Sequence, residues 1–257
     1  MIRLRSLGSG SSGNATLIEA RGLRTRRLLV DCGLGPKVLA QRLARCGLDI
    51  GDLDAVFITH EHSDHIGQVH KIATVHKLPV WMSEGTWRAG GGADFAGLLR
   101  FCADGQRIDM GELEVHAFSV PHDAAEPLQL TCDDGAQRIG ILTDLGHAPE
   151  SVVQHLSSCQ VLMLECNHDT ELLTRSSYPE FLKRRIAGDR GHLSNEQAAQ
   201  IAGMIQKGQL GQVVAAHLSR SNNRAALALS ALERALGSST ELSVADAEMG
   251  TDWIDPA

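Results

Sequence analysis

The chain has 257 residues, 43% of them hydrophobic, and 24 Lys and Arg against 31 Asp and Glu give it a formal charge of −7. That balance excludes a protein that coats nucleic acid through bulk basicity, and one tyrosine in a 4% aromatic content excludes a platform stacking many bases. No run approaches the roughly 18 to 20 apolar residues of a membrane span, and "MIRLRSLGSG" lacks the apolar region of a secretory signal, so a cytoplasmic protein without membrane contact is expected. The length supports one large core and predicts a single domain over residues 1–257. Six cysteines without a C-x-x-C pair are neither a disulfide framework nor a zinc ribbon, and are read as reduced, buried small hydrophobes.

In chain order, "IRLRSL", "ATLIEA" and "RRLLVDCG" read as strands, the first two separated by the Gly/Ser loop "GSGSSGN". Apolar spacing between Pro36 and Gly47 predicts a helix, followed by the strand "DAVFITH", a helix in "GQVHKIATVHK" and the strand "PVWMS". A Gly-rich loop at "AGGGADFAG" leads to strands in "ELEVHAFSV", "EPLQLTC" and "RIGILTD". Helix and strand then alternate through "SVVQHLSS", "VLMLEC", "SYPEFLKRRIAG", "NEQAAQIAGMIQ", "QVVAAHL" and "RAALALSALERAL". Strands in both halves, with helices to cover their outer faces, predict an α/β (α+β) chain folded as an αββα four-layer sandwich.

The stretch "THEHSDH" places His60, His62, Asp64 and His65 directly after an apolar strand. Imidazole nitrogens and carboxylate oxygens at this spacing suit a divalent metal, and a loop at a strand end can converge them while the strand stays in the core. Three further metal-type side chains end aliphatic runs: His122 after "EVHAFSVP", Asp144 after "RIGILT" and His217 after "QVVAA". Residues at the ends of adjacent strands can meet at one sheet edge.

"THEHSDH", "VPHD", "LTDLG" and "AAHLS", in that order, resemble the motifs of the metallo-β-lactamase-fold hydrolases, with Asp31 of "LLVDCG" as a further member. "SLGSGSSGNATLI", "ECNHD", "GHLSNEQAA" and "AHLSRSNN" resemble the WalJ (YycJ) branch, related to tRNase Z and PhnP. The resemblance implies that His60, His62 and His122 hold one metal, Asp64, His65 and His217 a second, and Asp144 bridges them. It places Asp31 behind the ligands, orienting them, and gives Asp64 a further role on the attacking water. The two divalent ions expected are Zn²⁺ or Mn²⁺, or iron. Sharing a hydroxide, they lower its pKa towards about 7 and neutralise charge on a phosphoryl oxygen, which makes hydrolysis the reaction class.

Ser194 and Gln197 form a capping-box pattern that puts His192 just before a helix start. By similarity to the His-x-Thr segment of tRNase Z, His192 is the candidate general acid; the alternative is a helix-entry histidine under a loop. Glu165 is read either as a partner of His192 or of a ligand histidine, or as a turn residue. Ser11 and Asn14 sit in a loop that can cradle phosphate or make a tight hairpin; Ser219, Asn222 and Asn223 can bond substrate or cap a helix. Arg184 and Arg185 belong to a basic run that can grip phosphates or line a solvated helix face. The expected function is a dinuclear metal-dependent phosphodiesterase, read first as a DNA exonuclease. Its rivals are a PhnP-like cyclic phosphodiesterase for a small substrate, a thioester or lactam hydrolase, and a non-catalytic metal-stabilised partner protein. The sequence leaves the oligomeric state open.

Overall fold

The computed structural model describes residues 1–206 and 209–256. One sheet carries β1 (Ile2–Gly8), β2 (Ala15–Arg21), β3 (Thr25–Val30), β4 (Ala55–Phe57), β5 (Val80–Met82) and β6 (Leu99–Phe101) in sequence order. It is antiparallel from β1 to β3 and parallel from β3 to β6. The other carries β7 (Arg107–Asp109), β8 (Glu114–Ser119), β9 (Leu128–Asp133), β10 (Arg138–Leu142), β11 (Val161–Glu165), β12 (Gln212–Ala216) and β13 (Glu241–Val244), again in order. This sheet is antiparallel up to β10 and parallel beyond it.

The two-residue alternation of each strand decides which layer its side chains enter. Val161 and Met163 of β11 turn inward, where they meet Ile139 and Ile141 of β10 and Leu28, Val30 and Phe57 of the facing sheet. Their neighbours Leu162 and Leu164 turn outward against α5 (Glu150–Leu156), α8 (Asn195–Ile205) and α9 (Ala225–Leu236). On the far side, Leu29 and Val56 pack under α1 (Pro36–Ala44) and α3 (Val69–His76) through Leu39, Leu43, Ile72 and Ala73. Three apolar seams between four layers make an αββα sandwich, as the strand and helix patterns predict. All six cysteines are free and five are buried.

Short elements escape the sequence patterns. The "DAVFITH" run pairs over only three residues, and α2 (Ser63–Ile66) forms inside the His-rich loop. The helices α4 (Glu84–Ala89) and α6 (Thr170–Arg175), with β6, β7 and β13, are each six residues or fewer. Helical periodicity needs a window of about 11 residues or more to stand out. The remaining basic helix, α7 (Glu180–Ile186), lies within the predicted segment. No helix among the described residues is long and apolar enough to cross a membrane.

Candidate metal centre

The strands deliver the chemically active side chains where their hydrogen bonding stops. Asp31 follows β3, the His60–His65 loop follows β4, His122 follows β8, Asp144 follows β10, Glu165 ends β11 and His217 follows β12. Asp31, Asp144 and His217 have φ of 62°, 57° and 54°, a region non-glycine residues seldom occupy. Three such residues at one point mark backbone bent sharply to aim side chains across the sheet ends. Close approach of the loops needs Gly33, where a Cβ would lie 1.8 Å from the Asp64 carbonyl oxygen. Across that contact the Cys32 N–H donates to His65 O and the Asn14 N–H to Asp64 O, each at 2.8 Å.

All seven predicted ligand residues converge. Potential donor atoms of His60, His62 and His122 lie within 4.8 Å of one another, as do those of Asp64, His65 and His217. Asp144 completes a third such group with His60 and His65, one residue from each of the other two. The outward ring nitrogens are held in place: His65 Nδ1 by Asp31 Oδ2 at 2.7 Å, His60 Nδ1 by Thr59 Oγ1 at 3.0 Å, His122 Nδ1 by Gly191 O at 3.1 Å and His217 Nδ1 by Glu165 Oε1 at 3.1 Å. The inward nitrogens face one another or carboxylates, His122 Nε2 lying 3.3 Å from His62 Nδ1 and His217 Nε2 3.4 Å from Asp64 Oδ2. Of the buried inward atoms, His60 Nε2 has no hydrogen bond, and Asp144 Oδ2 has only the His65 imidazole 3.1 Å away. Buried lone pairs without a donor are costly, and a cation is the partner this donor set fits.

Burial and charge pull the titrating groups apart. Burial pushes His60 well below the ordinary histidine value, helped by the neighbouring His65, and burial also lowers His122. Burial opposes charge on His65 and His217 too, but carboxylates win: Asp144 and Asp31 hold His65 well above its ordinary value, and Asp144, Asp64 and Glu165 lift His217 to about 10. In turn, against the effect of burial, His217 and His65 hold Asp144 well down.

His192 stands beside this cluster with Nδ1 2.8 Å from Glu165 Oε1, and its side chain is 23% exposed. Burial disfavours its charged form, but the Glu165 carboxylate outweighs this and raises the imidazole; Glu165 is itself held at about 2, despite burial, by His192 and His217. The expected capping box is present, Ser194 accepting from the Gln197 N–H while Gln197 accepts from the Ser194 N–H. It fixes the chain's entry into α8 and so the position of His192.

The other expected residues separate. Ser11 and Arg185 line the cavity over the cluster, of about 190 Å³, together with His192 and Asp144. Arg184 lines a different cavity on the other side of α7. Asn14 lies within the cluster, its Nδ2 3.0 Å from His65 Nε2. Asn223 is 3% exposed and spends its side chain on Asn195 and the Cys166 carbonyl, leaving nothing for a substrate; Asn222 is 1% exposed. Ser219 borders a neighbouring cavity. Sequence reasoning missed Thr59, which donates to Asp31 and contacts His60, and Asp123, 3.4 Å from His122 and bound to Arg185 at 2.6 Å. Both adjoin a ligand-type histidine in sequence, the signal that could have found them.

A family model described as "Beta-lactamase superfamily domain" matches residues 26–217. The exodeoxyribonuclease YycJ of Bacillus anthracis is 32% identical over 238 residues, covering 90% of this chain and 87% of its own. The exodeoxyribonuclease WalJ of Streptococcus pneumoniae is 32% identical over 252 residues, covering 96% and 90%. Among solved structures, the metallo-β-lactamase fold protein YhfI of Bacillus subtilis superposes over 99% of this chain and 100% of its own with a TM-score of 0.75, at 17% identity.

Proposed function

The chain belongs to the β-lactamase superfamily, and from that premise we propose that it is a dinuclear metal-dependent phosphodiesterase that degrades DNA from an end, as its relatives' names describe. The fold and the His/Asp cluster imply divalent metal ions. In this reading His60, His62 and His122 hold one ion and Asp64, His65 and His217 the other, with Asp144 shared; Zn²⁺ or Mn²⁺ fits the mixed nitrogen and oxygen set, and iron would also fit. Bound ions would supply Lewis acidity, making a water nucleophilic near neutral pH and neutralising charge on the phosphoryl oxygens.

What carries the reading is the His192–Glu165 pair at the rim of the cluster. Glu165 accepts at Nδ1, so Nε2 is the nitrogen left to hand a proton to a departing alkoxide. Asp31 and Glu165 keep His65 and His217 in orientation, and in this reading Asp64 would orient the attacking water. A thiolate departs without needing a proton, so an acid at this position argues against thioester hydrolysis. The cavity of about 190 Å³ favours a second reading, a small phosphodiester.

Purified protein with Mn²⁺ or Zn²⁺, given 5′- and 3′-labelled single- and double-stranded DNA with bis-p-nitrophenyl phosphate in parallel, tests both. Shortening of labelled DNA is expected; turnover of the small ester with DNA left intact at low salt would select the second reading. His192→Ala is expected to lower kcat on DNA by about 10² to 10⁴ with little change in KM. Unchanged kcat would remove His192 from the chemistry.

A further inference from the structure

The cavity over the cluster, of about 190 Å³, does not end blindly. Ser11 also lines a second cavity of about 270 Å³, bordered by Tyr178, Ser219 and Arg220. Ser12 and Arg220 of that cavity in turn line a third, of about 460 Å³, bordered by Arg42, Arg45 and Glu248. The cavity behind α7 shares no lining residue with the one over the cluster. Cavities joined by shared lining residues therefore make a path from Ser11 past Tyr178 and Arg220 to α1.

Its chemistry suits one strand of a polynucleotide. The second cavity offers hydroxyls with a single charge, Arg220, and the third sets three arginines against one carboxylate. Arg42 is committed to the fold, donating to the Leu7 and Ala247 carbonyls. Arg45 is exposed, with a 3.5 Å contact to Met249 Sδ as its one side-chain partner among the described residues, and Arg220 makes long contacts of 3.3 Å to Ser12 and 3.6 Å to the exposed Glu248. Such exposed pairs hold little energy, so both guanidiniums can turn to phosphate. Tyr178, the chain's one tyrosine, is half-buried and its ring stacks on no other ring among the described residues. A half-buried aromatic beside cationic side chains is the arrangement that grips unpaired bases.

We infer that a single DNA strand entering the reaction centre runs along this path, a base stacking on Tyr178 and Arg220 and Arg45 each binding a backbone phosphate. The inference rests on the nuclease reading, and the test separates the two. Binding is read by fluorescence anisotropy with a labelled, hydrolysis-resistant phosphorothioate strand on the metal-loaded protein, and cleavage is assayed separately on ordinary DNA. Tyr178→Ala is expected to weaken binding at least about fivefold and Tyr178→Phe to restore it. Arg220→Ala and Arg45→Ala are each expected to reduce the slope of log affinity against log salt by about 0.7. Arg107→Ala, on β7 at the far edge of the second sheet, is expected to change neither quantity. Unaltered affinity and salt slope in all three path variants, or loss equal to theirs in Arg107→Ala, would overturn the path. Binding that depends on these residues without cleavage of DNA would keep the path and overturn the nuclease reading.

Discussion

Among the described residues charge is buried in two places, and differently in each. On β2, Glu19 is 1% exposed and is met by three guanidiniums: Arg3 at 2.7 Å, Arg27 at 2.7 Å and Arg21 at 2.6 Å. Arg3 and Arg27 lie directly across from it on β1 and β3, so the strand register itself delivers the countercharge. At the other end of β3, about 13 Å further along the strand, the histidines and carboxylates of the candidate metal centre leave His60 Nε2 and Asp144 Oδ2 without a bond. The first cluster is complete within the chain, whereas the second has its outer atoms satisfied and two of its inner ones not. Incomplete compensation at a site so firmly held from behind is what distinguishes a place built for a ligand from one built for stability.

Removing metal should give the largest effect, and it should fall on one cluster only. Excess chelator is expected to abolish hydrolysis and lower the melting temperature on the order of 10 °C, with both restored by Mn²⁺ or Zn²⁺. Glu19→Gln should show the same chelator-dependent shift as the unaltered protein, because the clusters are too far apart to couple. A shift that vanishes in Glu19→Gln would break the comparison. A smaller effect is expected behind the ligands. Asp31 accepts from the Thr59 N–H at 2.9 Å and meets His65 Nδ1 at 2.7 Å; Asp31→Asn keeps the size and tolerates the bent backbone but cannot accept from both. A metal-competition titration should find affinity reduced about 10- to 100-fold. Unchanged affinity would mean that His65 needs no orienting partner.

The same contrast explains what was readable before the structure. The cluster was visible because metal-type side chains recur at the ends of aliphatic runs, and both the run and its terminus are local patterns. His60, Asp144 and His217 can be picked out without knowing what they touch. The layers were visible because β11 alternates between two seams over five residues. Glu19 was not, since a glutamate in "ATLIEA" looks like any solvent-facing strand residue until β1 and β3 are in register beside it. Thr59 hid for the opposite reason, sitting inside the most conspicuous motif yet acting through a hydroxyl whose partners come from β3. The path along Ser11, Tyr178 and Arg220 joins segments nearly 170 to 210 positions apart in the chain, a relation that no local pattern carries.

The complete cluster should reveal itself through pH. Burial raises the Glu19 carboxyl, but hydrogen bonds from Arg27, Arg21 and Arg3 outweigh it and hold the group below its ordinary value of 4.5. The unfolded chain therefore takes up this proton at a higher pH than the folded one. The stabilisation is fully present at neutral pH and is lost as pH falls from 4.5 through the lower folded value. Glu19→Gln removes the charge and leaves three partly solvated arginines, a loss of about 2 kcal/mol at neutral pH. Urea unfolding of both proteins, each in excess chelator so that the metal centre contributes equally, should show that difference at pH 7 and a shrinking one as pH falls below 4.5. If the gap is as wide in acid as at neutrality, packing around residue 19 and not charge is what the three arginines secure.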